Sequence, residues 1–131
     1  MKKTNILIVD DNVGLAETLS FILGIKGYGT GIAKNGNEAV EKVKNKFFNI
    51  IFMDIKMPLM NGVEAFREIK KISPSSIVFM MTAYGVEELI QESLEEGAYD
   101  IIYKPLDIER ALALIEEVMA TFPRSSNQLL S

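Results

Sequence analysis

Four short stretches of the chain are almost continuously apolar: Ile6-Leu7-Ile8-Val9, Ile50-Ile51-Phe52-Met53, Ile77-Val78-Phe79-Met80-Met81 and Ile101-Ile102-Tyr103. Runs of this length and β-branched content predict strands buried on both faces of a parallel sheet, because neither side of such a strand meets water. Between them, apolar residues recur at helical spacing. Leu15, Leu19, Ile22 and Leu23 follow the first strand, Ala39, Val40 and Val43 follow Asn37 as a candidate N-cap, and Val63, Phe66 and Ile69 follow Gly62. Leu89, Ile90, Ser93 and Leu94 mark a fourth helix, and Ile108, Ala111, Leu112, Ile115, Val118 and Met119 keep one stripe across 107–120. Tyr28-Gly29-Thr30-Gly31-Ile32-Ala33 completes the alternation as a strand near the sheet edge, although its two glycines lower strand propensity. Strand and helix alternating five times predict right-handed βαβ crossovers and an open α/β sheet with helices on both faces.

The length of 131 residues suits one domain with a sizeable core. Residues 122–131, with Pro123-Arg124-Ser125-Ser126-Asn127, lose the periodicity, so the domain is expected over 1–121 and a tail or the start of a linker beyond it. No run of about 18 apolar residues offers a membrane span, and the apolar stretch after Met1-Lys2-Lys3-Thr4-Asn5 ends at Asp10, too soon for a signal-peptide core. A soluble, cytoplasmic protein without membrane contact is expected. The balance of 14 basic and 18 acidic residues, net −4, argues against a nucleic-acid surface.

Each strong apolar run stops at a polar residue of a particular kind: Asp10 with Asp11, then Asp54, then Thr82, then Lys104. In an open α/β sheet, ligands bind in the crevice outside the carboxyl ends of the strands, so this pattern predicts one site holding three carboxylates, a hydroxyl and an ammonium. The chain has no histidine and no cysteine, which removes imidazole bases, thiolate nucleophiles and nitrogen- or sulfur-ligated metals. Two like charges about 4 Å apart repel by roughly 4 kcal/mol at an effective dielectric near 20, so converging carboxylates raise one another's pKa or recruit a cation. Oxygen ligands few in number match Mg²⁺, which keeps several waters and is held by one or two carboxylates plus a phosphate. Lys104 and Thr82 then suit the oxygens of a phosphoryl group, and a carboxylate can itself be the nucleophile, giving an aspartyl phosphate.

These residues resemble the receiver domain of two-component response regulators, over essentially the whole of 4–120. Asp10-Asp11 is similar to the family's acidic pair; Asp54 in Ile-Phe-Met-Asp-Ile-Lys-Met-Pro-Leu-Met-Asn-Gly is similar to its phosphoacceptor, with Pro58 and Gly62 in the following loop. Met-Thr-Ala-Tyr places Thr82 as the switch hydroxyl with Ala83 after it, and Tyr103-Lys104-Pro105 resembles the switch aromatic, the phosphate-binding lysine and the proline commonly preceded by a cis bond. The resemblance implies a flavodoxin-like fold of order 2-1-3-4-5, Asp54 as acceptor, and Mg²⁺ bound by Asp11, Asp54 and the backbone carbonyl of Lys56, with Asp10 acting mainly through water. Helix capping is the alternative role for Asp11. Tyr103 is expected to pack inward once Thr82 moves toward a phosphoryl group, changing the face of the fourth helix, fifth strand and fifth helix.

The implied partners are a sensor histidine kinase or histidine phosphotransferase as donor, a downstream effector or output domain on that face, and a second copy in a phosphorylation-dependent homodimer. Lys56 and Tyr84, at positions variable in the family, are expected to shield the acyl phosphate and slow its hydrolysis. Receivers carrying this Lys and Tyr include stand-alone phosphorelay intermediates of the sporulation type. A signalling switch rather than a turnover enzyme is therefore expected. A Mg²⁺-dependent phosphohydrolase is the competing reading, but it needs a second acid two residues after the nucleophile, where Lys56 stands. A flavin carrier is disfavoured because Asp10-Asp11-Asn12 would repel the flavin phosphate.

Overall fold

A computed structural model describes residues 3–83 and 85–121. Strands β1 (Asn5–Val9), β2 (Gly29–Ala33), β3 (Ile50–Asp54), β4 (Ile77–Thr82) and β5 (Asp100–Tyr103) form one parallel sheet in the order β2-β1-β3-β4-β5. Helices α1 (Val13–Ile25), α2 (Gly36–Asn45), α3 (Gly62–Ile72), α4 (Glu87–Glu95) and α5 (Ile108–Thr121) follow the strands in turn. The fold is the doubly wound one expected, and the glycine-containing strand lies at a sheet edge.

Side chains along each strand alternate between two cores, as the period of a strand requires. Ile6, Ile8, Phe52, Phe79, Met81 and Ile102 pack with Ala16, Leu19 and Leu23 of α1 and with Ala111, Ile115 and Val118 of α5. Leu7, Val9, Ile51, Met53, Val78 and Met80 pack with α2, α3 and α4 through Ala39, Val43, Phe66, Ile69 and Ile90.

The helices depart from the sequence pattern in phase. Leu15 is 56% exposed, and the buried line of α1 runs through Ala16, Leu19 and Leu23; a helix apolar nearly all round does not declare which side faces inward. Leu94 is 40% exposed, and Leu114 joins the buried stripe of α5. The N-cap of α2 is Asn35 rather than Asn37: its extended backbone lets Oδ1 accept from the Glu38 N–H at 2.8 Å, while the Glu38 carboxylate accepts from the Lys34 N–H. The predicted tail, 122–131, lies outside the described residues.

The start of α3 is pinned against the end of β3. Asn61 and Glu64 form a reciprocal capping box, and the Gly62 N–H donates to the Ile55 carbonyl at 2.7 Å. A Cβ at Gly62 would lie 2.3 Å from the Asp54 carbonyl oxygen and 2.8 Å from the Ile55 Cα, so this contact admits glycine alone. Gly62→Ala is expected to lower stability by about 2 kcal/mol or more, since the obstruction is backbone and cannot rotate away; a urea titration would read it as a lower midpoint with unchanged slope.

Candidate functional site

The carboxyl ends of β1, β3, β4 and β5 converge, and the hydrogen-bond ladder runs one step past the strands to hold the residues there. The Asp10 N–H donates to the Ala33 carbonyl at 3.1 Å, Ile55 to Met81 at 2.9 Å and Lys104 to Thr82 at 2.8 Å. Strand alternation then sorts the side chains. Counting on by twos from Ile8, Phe52 and Ile102, which face α1 and α5, leads to Asp10, Asp54 and Lys104. The same count from Met80 and Ile101, on the other face, leads to Thr82 and Tyr103, which are register partners in β4 and β5.

Asp10 and Asp54 are only 3% and 4% exposed. The Lys104 ammonium lies 2.9 Å from Asp10 Oδ2 and 3.3 Å from Asp54 Oδ2, and the Asn12 N–H donates to Asp10 Oδ1 at 2.9 Å. Both oxygens of Asp10 are thus bonded within the protein. Asp11 is exposed, and carboxylate oxygens of Asp10, Asp11 and Asp54 all lie within 4.8 Å of one another. An all-oxygen cluster of this kind fits a hard divalent cation. Asp11 does not cap α1; Asn12 does, its side chain accepting from the Leu15 N–H at 3.2 Å.

Asp54 stands in a cluster whose charge is not balanced. Burial pushes its carboxyl up, Lys104 pulls it down and Asp10 pushes it up again, leaving it at about 6. For Lys104, burial works against the charge, but the hydrogen bond to Asp10 and the fields of Asp54 and Asp10 outweigh it and hold the ammonium above its ordinary range.

The remaining expected residues surround this cluster. Thr82 is buried, and its hydroxyl donates to the Ala83 carbonyl at 2.7 Å. Tyr103 is 42% exposed. The Lys104–Pro105 peptide is cis. The Lys56 side chain is exposed in the loop that Gly62 closes. Tyr84 lies outside the described residues. The pattern along the chain did not single out Asn12 as a residue that orients Asp10, because in Asp10-Asp11-Asn12 three good caps stand side by side and local preference does not choose among them.

A family profile for the response regulator receiver domain matches residues 6–116. The chain belongs to the response regulator receiver family. Among receivers, it is 35% identical to sporulation initiation phosphotransferase F of Bacillus subtilis, over 97% of this chain and 100% of that protein. It is 38% identical to transcriptional regulatory protein ZraR of Klebsiella oxytoca over 91% of its own length, but it spans only 27% of that relative. A solved response regulator of Burkholderia pseudomallei, described with a phosphorylated aspartic acid, a calcium ion and citrate, superposes with a TM-score of 0.79 at 27% identity, covering 86% of this chain and 65% of that one. Receivers of this family accept a phosphoryl group on an aspartate and interact with kinases and output domains. Among the described residues of this receiver, no helix is long and apolar enough to cross a membrane.

The raised Asp54 carboxyl has a consequence for stability. A carboxyl near 6 in the folded chain, against 3.8 when unfolded, means that the folded state binds the extra proton between these values, so stability falls as pH rises from about 4 through about 6. Asp54→Asn is expected to be more stable than wild type by about 1 to 2 kcal/mol near pH 7.5 without divalent metal, a gain moderated by the water that reaches the rim at exposed Asp11. The gain should vanish near pH 4, as urea midpoints at the two pH values would report.

Proposed function

We propose that Asp54 is the phosphoacceptor of this receiver, and that its phosphorylation changes a partner-binding face built from α4, β5 and α5. The observation that carries this reading is the convergence of Asp10, Asp11 and Asp54 at the strand ends, with Lys104 bonded to Asp10 and Asp54. Near neutral pH the Asp54 carboxyl is mostly ionised. One of its oxygens attacks phosphorus in line; the bond from phosphorus to the donor breaks, and its electron pair leaves with the donor, an imidazole or a carboxylate.

These 131 residues contain no histidine, so a phosphohistidine donor lies outside them, on a sensor histidine kinase or a histidine phosphotransferase. Asp11, Asp54 and the Lys56 carbonyl would hold Mg²⁺ directly, with Asp10 acting through water because both its oxygens already carry bonds. When bound, the ion neutralises charge on the transferring group. The solved relative described with a phosphorylated aspartic acid and a calcium ion supports a divalent cation as a companion of this chemistry.

Lys104 supplies an ammonium to one phosphoryl oxygen. Thr82 exchanges its bond to the Ala83 carbonyl for a bond to another, and its movement gives the Tyr103 ring room to turn inward beside it. The altered face then engages an effector or output domain, or a second copy of the chain. The chain works in the cytoplasm as a switch, not as a phosphohydrolase, since Lys56 stands where a hydrolase needs its second acid. Its end-to-end match to a sporulation phosphotransferase supports a relay role.

Acetyl phosphate with Mg²⁺ is expected to add one phosphoryl mass to the wild type and none to Asp54→Asn. Label on another residue of that variant, read by peptide mass spectrometry, would sink the assignment. Lys56→Ala with Tyr84→Ala is expected to shorten the acyl phosphate half-life about tenfold by admitting the in-line water, a factor that costs about 1.4 kcal/mol of barrier; an unchanged half-life would remove shielding as the cause.

A further inference from the structure

The two ends of α4 are fastened very differently. At its start the N-cap, Val86, offers no side-chain hydrogen bond to the first turn. Along its length it buries only Ile90 and Ser93, with Val86 and Leu89 partly buried. At its C-terminal end, by contrast, two cations of α3 reach across. The Arg67 guanidinium bridges Glu92 and Glu96, one helical turn apart, with Nε 3.1 Å from Glu96 Oε2 and a terminal amino group on Glu92; the Lys70 ammonium donates to the Glu96 carbonyl, one of the unpaired carbonyls that end the helix.

Arginine suits this position because its planar fork can serve two carboxylates at once, which a lysine ammonium on a flexible stem does not do with the same geometry. Glu92 and Glu96 lie at i and i+4, so both carboxylates present to the same side of α4. The uncapped end of α4 follows β4 in the chain, and Thr82, the last residue of β4, is the register partner of Tyr103. The arrangement seen here has the Thr82 hydroxyl on Ala83 and Tyr103 partly in solvent, and the clasp is closed in it.

We propose that Arg67, with Glu92 and Glu96, forms an ionic clasp that holds the C-terminal end of α4 to α3 and biases the receiver toward this arrangement. This rests on the reading of Thr82 and Tyr103 as the switch. The clasp is closed in this arrangement and opens in the switched one, where the C-terminal end of α4 shifts away from α3. Arg67 touches no reacting atom and is a positioning residue. Any interaction that favours one of two arrangements must be worked against by whatever favours the other, so opening the clasp makes phosphorylation easier by the factor the clasp contributes. A partly exposed network of this size supplies roughly a three- to fivefold bias.

Hydrogen exchange on the phosphate-free protein tests the clasp. In Arg67→Gln, peptides covering 87–95 are expected to exchange about threefold faster than in wild type, with those covering 50–54 and 77–82 unchanged, and the difference should close in ~1 M sodium chloride, where screening acts within about 3 Å. The initial rate of Asp54 labelling by acetyl phosphate tests the bias and is expected to rise by a similar factor. The pair Glu92→Gln with Glu96→Gln opens the same clasp from α4 and should produce both shifts. Unchanged exchange over 87–95 overturns the clasp, and faster exchange with an unchanged labelling rate overturns its link to the switch. Absence of label in both wild type and variant overturns the acceptor reading and the coupling with it, while the exchange data still decide the clasp.

Discussion

Two buried carboxylates, Asp10 and Asp54, held on one ammonium with a third carboxylate beside them at the end of a hydrophobic sheet, are the constraint on which the rest of this protein depends. Asp10 and Asp54 are almost fully buried, and unpaired carboxylates in that setting would be neutralised or would unfold the site. Lys104 reaches both, and the Asn12 backbone takes the other oxygen of Asp10. What remains is a negative excess, and the Asp54 carboxyl is raised first by its burial and further by the charge of Asp10. That excess costs stability, and it is also what makes the cluster receptive to a divalent cation. Three carboxylates face one ammonium, so the site keeps an excess of negative charge, and chemistry at Asp54 changes that balance.

The sheet makes this local event legible at a distance by dividing the strand ends between its faces. Asp10, Asp54 and Lys104 continue the rows that pack on α1 and α5; Thr82 and Tyr103 continue the rows that pack on α3 and α4. Only a β-strand, with side chains alternating at every residue, can put a charge sensor and a packing switch one residue apart on opposite sides of a single layer. Lys104 and Tyr103 are such a pair on β5, and the helix that covers the switch side, α4, is lightly buried and secured at one end by Arg67.

Much of this was readable along the chain. Ile50-Ile51-Phe52-Met53 reads by its length and β-branched content as a strand covered on both sides, and the polar residue closing each such run points at the crevice. The helices were readable as elements but less so in phase. Leu15 lies in solvent although it belongs to an apolar helix, and Asn35 rather than Asn37 caps α2, because two asparagines two residues apart satisfy the same local rule. Within Asp10-Asp11-Asn12, the choice of which residue caps the helix and which meets Lys104 is made by the direction in which β1 delivers the chain, and no local preference records it. The Arg67 clasp left no pattern at all, since its partners lie 25 and 29 residues further on.

The sequence by itself determined the α/β class, the five strand and helix pairs, the oxygen-only chemistry and the identity of the residues at the strand ends. These follow from periods of two and 3.6 residues and from side-chain types, which are properties of neighbours along the chain. Tertiary structure decided which oxygen of Asp10 meets which donor, that the Thr82 hydroxyl rests on Ala83, and that α4 is tied to α3. Those are contacts whose geometry is set when the sheet and the helices pack together, and their energy depends on burial and on distance through space, which spacing along the chain does not specify.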